Sequence, residues 1–121
     1  MFSVKRLFRS FRYAFKGFLI VLKEEQSFQI QLIAGAVVVS LIFYFNVRGW
    51  ESMVLILLVV AVLVMELINS IFERIIDVLK PRLHPYVEEI KDIMAATVLL
   101  SSLVALVIGL MIFLPYLKNL L

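Results

Sequence analysis

Three long apolar segments constrain the fold of this chain more than any other feature. They cover about residues 28–45, 52–73 and 93–114, and the first contains no charged residue. A helix needs about 20 mostly apolar residues to cross the hydrocarbon core of a bilayer, so each segment is close to the required length. The chain is 64% hydrophobic, whereas soluble domains are roughly half apolar. We therefore expect a single all-α integral membrane domain over residues 1–121.

The first segment, residues 1–23, has the pattern of a helix that lies at the membrane surface. Its apolar and cationic residues each recur at steps of three and four, which places them on two helical faces. The apolar face contains Phe8, Phe11, Phe15, Phe18 and Leu22, and the cationic face contains Lys5, Arg9, Arg12 and Lys16. Such a helix places its rings at the acyl boundary and its cations among the headgroups. A secretory signal is not expected, because no small-residue cleavage site follows and charges continue to Lys23.

Prolines and a short polar segment predict where the spanning helices end. Pro81 and Pro85 are expected to end the second helix and Pro115 the third, because proline lacks the N–H donor and disfavours helix before itself. Residues 46–51 are expected to form a turn, with Trp50 as an interfacial anchor. Three such helices enclose little interior, so we also expect self-association.

Lysine and arginine residues are distributed unevenly along the chain. Six precede the first span, one lies in the first loop, four lie around the second loop and one follows the third span. The positive-inside rule then predicts a cytoplasmic amino terminus and second loop, in the cell inner membrane. Anionic lipid headgroups account for the net charge of +3, so no nucleic-acid partner is expected. The absence of cysteine excludes disulfides and thiolate chemistry.

One face of the second spanning helix carries four polar side chains. Glu66, Asn69, Glu73 and Asp77 follow one another at steps of three, four and four. At about 100° per residue they lie within an arc of about 80°. If Glu73 is at headgroup level, Glu66 lies about 10 Å deeper, where an unpaired carboxylate costs at least about 2.5 kcal/mol. Glu66 is therefore a candidate proton acceptor, although interhelical hydrogen bonding would also explain a polar stripe.

Further charged residues are expected at the same membrane face. Glu25 precedes the first span, and Glu25 with Glu73 could hold Mg²⁺ together with waters and substrate phosphates. Lys91 and Asp92 are near the start of the third helix, where a lysine and free backbone amides could receive phosphate oxygens. Simpler explanations remain open: the helix dipole favours an acid at Glu25, Lys91 could snorkel, and His84 could be a solvated loop residue.

A metal, a phosphate and a membrane-buried hydroxyl are what a lipid kinase needs, and this is the leading hypothesis. Two other classes stay open. A small proton-conducting or solute-carrying membrane protein would use Glu66 as a carrier carboxylate, and it predicts flux in liposomes without ATP. A structural or assembly subunit predicts that changing the polar stripe alters oligomer stability only.

Several motifs resemble the prokaryotic diacylglycerol kinase family, which includes the undecaprenol kinases of Gram-positive bacteria. The string MELINSIFERIID is similar to the family signature and contains all four residues of the polar stripe. Glu25 followed by Phe28, His84 followed by Lys91 and Asp92, and the string RSFRYAFKG match further family markers. The resemblance covers nearly the whole chain without a gap.

The resemblance implies a homotrimer with active sites shared between subunits, and ATP with Mg²⁺ as the phosphoryl donor. It implies that Glu66 is the general base on the lipid hydroxyl, that Glu25 and Glu73 bind Mg²⁺, and that Lys91 contacts the transferred phosphoryl group. The remaining residues that it places around the nucleotide and the lipid are Arg6, Tyr13, Asn69, Asp77, His84 and Asp92. The family lacks a glycine-rich phosphate loop, as does this sequence.

The sequence departs from the Gram-negative type of the family at one place. After Asp92 it has Ile-Met-Ala in place of Met-Gly-Ser, so Ala95 occupies the position of a serine associated with the lipid site. Lipid contacts therefore cannot be carried over directly. The His84-Pro85 pair and the ending IGLMIFLPYL are more similar to the undecaprenol kinase branch, and they favour undecaprenol over diacylglycerol as the membrane lipid substrate.

Overall fold

The computed structural model describes the backbone of residues 1–121 and every side chain except that of Leu83. It contains four helices: α1 Val4–Glu24, α2 Gln26–Phe45, α3 Gly49–Leu83 and α4 Val87–Leu120. The last three are each long and apolar enough to cross a membrane. The predicted all-α architecture, an amphipathic first helix followed by three spans, is confirmed.

α1 begins at a polar cap and ends at a break in the chain. The Ser3 side chain accepts a hydrogen bond from the Arg6 backbone N–H, which satisfies one free donor of the first turn. Glu25 then adopts an extended conformation, with φ −106° and ψ 109°, and separates α1 from α2. The apolar rings of Phe8, Phe11 and Phe15 remain exposed on α1, as expected for a helix whose apolar face meets lipid.

The predicted helix ends are right at one proline and wrong at two. α3 ends at Leu83, directly before His84 and Pro85, but it continues through Pro81. α4 likewise continues through Pro115 to Leu120. The φ angle of proline suits a helix, and a long helix tolerates near its end both the missing hydrogen bond and the clash of the ring with the carbonyl four residues earlier. The first loop is shorter than predicted, because Asn46 ends α2 in the left-handed conformation and α3 already begins at Gly49.

α2 and α3 pack against each other, as do α3 and α4. The main apolar core contains Ile42, Leu55, Ile112 and Phe113 and lies around the α2–α3 loop. In the same region the Tyr116 hydroxyl donates to Glu51 Oε1 at 2.6 Å and accepts from the Arg48 backbone N–H at 3.1 Å. These contacts fix one end of the bundle. The other end, where α1 ends, α2 and α4 begin and α3 ends, is called the α1 end below.

Large apolar side chains remain exposed along all three spans. A monomer in water would not leave so much apolar surface uncovered, so this surface fits a lipid environment or contacts with further copies. Helices α3 and α4, with 35 and 34 residues, extend beyond the apolar segments predicted for them. Their additional turns at the α1 end carry charged residues of the candidate site.

Candidate functional site

Two polar side chains are buried near the middle of α3, at the level where α1 meets α2. Among the described residues, only Glu66, with 6% of its surface exposed, and Ser70, with 2%, are both polar and buried. They are four residues apart and therefore lie on the same face of α3. A carboxylate at this depth needs neighbours that compensate for its lost hydration. The rest of the site consists of the groups around these two residues.

Glu25 faces this buried pair from the break between α1 and α2. Its Oε1 accepts a hydrogen bond of 3.2 Å from the Ser70 hydroxyl. Its side chain does not cap the free N–H groups of α2. The simpler explanation of Glu25, an acid held by the helix dipole, therefore does not describe its contacts, because the carboxylate is directed at α3.

Three carboxylates lie around the buried end of the stripe. They are those of Glu25, Glu66 and Glu73, called the acidic cluster below. Glu25 and Glu73 are the charged neighbours of Glu66, and Glu73 Oε1 accepts a hydrogen bond of 3.3 Å from the Asn69 side-chain amide. Like charges this close repel one another unless a cation or protons offset them. The structure thus brings together four of the residues that the sequence predicted for the site.

An ion pair joins the end of α1 to α3 beside these carboxylates. Arg74 Nη2 is 2.6 Å from Glu24 Oε2, and both side chains are about half exposed. Arg74 also lies near Glu25 and Glu73, and it is therefore a cation beside both of these carboxylates.

A second ion pair connects α3 to α4. Lys91 Nζ is 3.8 Å from Asp77 Oδ1, with both side chains exposed. Lys91 of α4 therefore meets the polar stripe at Asp77, which is one turn of α3 beyond Glu73. The expectation of free backbone amides at Lys91 and Asp92 is wrong, because α4 already begins at Val87 and the Ile90 N–H bonds to the Tyr86 carbonyl at 2.9 Å.

The other predicted residues lie outside this set of contacts. Among the side-chain hydrogen bonds and ion pairs of the described residues, none links them to the acidic cluster. Arg6 and Tyr13 are exposed on α1, His84 lies in the α3–α4 turn, and Asp92 and Ala95 are exposed on α4. Their roles stay predictions.

The acidic cluster has the ligand chemistry that a magnesium–nucleotide complex needs. Carboxylate oxygens suit a hard divalent cation, and Mg²⁺ usually binds through one or two carboxylates, with phosphates and waters completing its six ligands. No group of three His, Asp or Glu side chains in the described part of the chain is arranged to hold a metal alone. Glu25 and Glu73 therefore fit a metal that arrives with phosphate oxygens better than a permanently bound ion.

An apolar cavity of about 360 Å³ lies between α2, α3 and α4. Its wall includes Val62, one turn of α3 away from Glu66, and continues along α3 as far as Leu55. Small residues, Ala34, Ala105 and Gly109, leave this space open. The cavity therefore extends from the neighbourhood of Glu66 toward the opposite end of the bundle.

Sequence reasoning missed Ser70, Arg74 and Glu24. Ser70 could have been found, because it follows Glu66 by four residues and precedes Glu73 by three, and so belongs to the same helical face. Glu24 and Arg74 are 50 positions apart. No periodicity along the chain indicates a pair at such a separation.

Comparisons with known proteins show which family and which relatives the chain is similar to. The family described as prokaryotic diacylglycerol kinase matches residues 12–113. The undecaprenol kinase of Bacillus subtilis is 31% identical over 113 residues, which cover 93% of this chain and 92% of that protein. A diacylglycerol kinase of Synechocystis is 29% identical over 92% of this chain, which spans 64% of that longer protein. A diacylglycerol kinase of Pseudomonas aeruginosa is 27% identical over 78% of this chain and 76% of that protein.

Proposed function

We infer the function of this chain from the premise that it belongs to the prokaryotic diacylglycerol kinase family. The membership makes it a membrane lipid kinase. We propose that it transfers the γ-phosphoryl group of ATP to the hydroxyl of undecaprenol or diacylglycerol at the cytoplasmic face of the inner membrane. The observation that carries the proposal is the buried carboxylate of Glu66 beside Glu25 and Glu73.

The depth of each carboxylate suits a different part of the reaction. Glu66 is buried within a spanning helix, one turn from Val62, which lines an apolar cavity with space for hydrocarbon. A lipid hydroxyl can reach it from the bilayer, whereas a nucleotide cannot enter that region without losing its hydration. Glu73 lies two turns closer to the end of α3, where water and nucleotide are accessible.

The chemistry is a displacement at phosphorus. Glu66 accepts the proton of the lipid hydroxyl, and the hydroxyl oxygen forms a bond to the γ-phosphorus. The bond from that phosphorus to the β–γ bridging oxygen breaks, and ADP leaves. Glu25 and Glu73 would hold Mg²⁺, which neutralises phosphate charge when it is bound. Such a transfer depends mainly on positioning and charge stabilisation, so few side chains suffice.

Lys91 is assigned to the phosphoryl group. Its ammonium is close to the polar stripe and is paired with Asp77 at 3.8 Å. A pair of this length between exposed side chains is weak, so Lys91 can exchange Asp77 for a phosphate oxygen at little cost. Arg6, Tyr13, His84 and Asp92 would contribute to the nucleotide site, and Asn69 and Ala95 to the lipid site.

We further propose that the amino terminus is cytoplasmic and that the protein is a homotrimer whose subunits share active sites. The cationic residues flanking the α1 end favour this orientation. The exposed apolar surface of the three spans offers area for subunit contacts. A proton- or solute-carrying role for Glu66 has no support from the family membership.

The direct test is phosphate transfer from labelled ATP to each lipid in mixed micelles with Mg²⁺. Undecaprenol and diacylglycerol are assayed side by side under identical conditions. We expect label in lipid, with undecaprenol preferred because of the relative from Bacillus subtilis. No label in either lipid, with protein that remains folded in the micelle, would refute the proposed function.

A further inference from the structure

The break between α1 and α2 leaves the position of the Glu25 side chain to be fixed by other parts of the structure. Glu25 lies at that break in an extended conformation and belongs to neither helix. Its backbone is bonded to both helices, because its N–H donates to the Val21 carbonyl at 2.9 Å and its carbonyl accepts from the Gln29 N–H at 3.2 Å, but neither bond fixes the direction of its side chain. Contacts from another element must therefore hold the Glu25 carboxylate beside those of α3.

Two contacts from α3 hold Glu25 and the residue before it. The Ser70 hydroxyl donates to Glu25 Oε1 at 3.2 Å, and Ser70 is itself 98% buried, with 2% of its surface exposed. Arg74, one turn further along α3, is paired with Glu24 at 2.6 Å. The last residue of α1 and the residue of the break thus contact two positions on one face of α3.

The ring of Phe28 completes the fixation from the α2 side. Phe28 has no exposed surface and packs edge-on against Phe18 of α1, with ring centroids 5.3 Å apart. The Gln29 amide also donates to the Leu22 carbonyl at 2.7 Å. These contacts fix the angle between α1 and α2, whereas the Ser70 hydroxyl bonds to the Glu25 carboxylate itself.

We propose that Ser70 and Arg74 are positioning residues that hold the α1–α2 break against α3 and so keep Glu25 in place to bind the metal with Glu73. Ser70 orients the carboxylate directly, and Arg74 acts through the neighbouring Glu24. The proposal rests on the proposed metal-binding role of Glu25. It adds residues to which neither the sequence motifs nor the family membership gave a role.

The expected effect is on metal affinity more than on the rate of transfer. Hydrogen-bond partners of metal ligands typically affect metal affinity by about 10–100-fold. We therefore expect Ser70→Ala to weaken Mn²⁺ binding, with a non-hydrolysable ATP analogue present, by about 10-fold or more. Ser70→Thr keeps the hydroxyl and should restore most of the affinity. Arg74→Gln should have a smaller effect, because its ion pair is half exposed.

Binding is measured by electron paramagnetic resonance of free Mn²⁺ on the full chain in mixed micelles, so that the readout does not depend on turnover. A matched control is Ser101→Ala, because the partly buried Ser101 hydroxyl donates to the Val98 carbonyl of its own helix at 2.9 Å. Arg82→Gln is the control for Arg74→Gln, since Arg82 is an exposed arginine of the same helix. Both controls should bind Mn²⁺ like the wild type.

A double-mutant cycle tests whether Arg74 acts through Glu24. Glu24→Gln and Arg74→Gln should weaken Mn²⁺ binding to a similar extent, and the double variant should be no weaker than either single variant. Additive losses would show that Arg74 acts on the metal site independently, and they would overturn its assignment as a partner of Glu24.

The outcomes separate this inference from the proposed function. Wild-type affinity in Ser70→Ala, with wild-type protein that binds Mn²⁺ and transfers phosphate, would overturn the inference alone. A lowered thermal stability of Ser70→Ala with unchanged Mn²⁺ affinity would also overturn it, since that is the result of a merely structural role. No binding of Mn²⁺ with nucleotide to the wild type would overturn both.

Discussion

Replacing Gly35 by alanine tests the helix packing that holds the bundle together. A Cβ atom at Gly35 would lie 2.7 Å from Val59 Cγ1 on α3, whereas carbon atoms in contact are about 3.5–4.0 Å apart. Valine is stiff in a helix because one χ1 rotamer is strongly preferred, so Val59 cannot simply turn away. The helices must separate by several tenths of an ångström or more.

Two opposing effects determine how much Gly35→Ala changes the free energy of unfolding. Overpacking of this kind costs about 1–3 kcal/mol, and alanine regains up to about 1 kcal/mol over glycine through its helix propensity. We therefore expect Gly35→Ala to lower the free energy of unfolding by up to about 2 kcal/mol. The measurement is reversible unfolding in mixed micelles, followed by far-ultraviolet circular dichroism.

Two further variants make the result interpretable. A Cβ atom at Gly109 meets nothing within 4 Å, so Gly109→Ala should be neutral or stabilising. Added to Val59→Ala, the Gly35→Ala change should lose most of its cost, because the methyl group that it strikes has been removed. Equal stability of Gly35→Ala and Gly109→Ala would refute the close approach of α2 and α3.

Three other substitutions probe separate regions. Glu73→Gln should weaken Mg²⁺-dependent nucleotide binding, measured by equilibrium titration, by about 10-fold or more, and unchanged affinity would remove Glu73 from the metal site. Lys91→Gln should slow transfer at least about 10-fold but change the free energy of unfolding by less than about 1 kcal/mol, because the exposed pair of Lys91 with Asp77 contributes little to stability. A large loss of stability with normal turnover would contradict this assignment of Lys91. Tyr116→Phe should cost about 1–3 kcal/mol, because it removes the hydroxyl that bonds Glu51 and the Arg48 N–H. Transfer activity of the folded Tyr116 variant should be normal, and a specific loss of activity would show that the opposite end of the bundle takes part in the reaction.

The parts of the fold that depend on local pattern could be predicted from the sequence. Apolar length indicates the three spans, and the steps between Glu66, Asn69 and Glu73 place them on one face whatever the rest of the chain does. Helix ends were harder to predict, because the lost hydrogen bond and steric clash at Pro81 and Pro115 are local, and the long helices continue past them.

The contacts between elements could not be predicted from the sequence. Whether Glu25 caps α2 or faces α3 depends on the angle at the break, which Phe18, Phe28 and the pair of Glu24 with Arg74 determine together. Ser70 lies within the signature string, but its hydroxyl has a role only once Glu25 is placed opposite to it. These relations are properties of packing and not of periodicity.

The central claim, that the buried Glu66 is the base of a lipid kinase, is tested most directly by Glu66→Gln. Glutamine keeps the shape of the side chain but cannot accept the proton of the lipid hydroxyl, and general bases contribute about 10²–10⁴-fold to rates. Transfer of label from ATP to lipid should fall at least about 100-fold, while the affinity for MgATP stays near that of the wild type. Transfer by Glu66→Gln within a few-fold of the wild type would contradict the account.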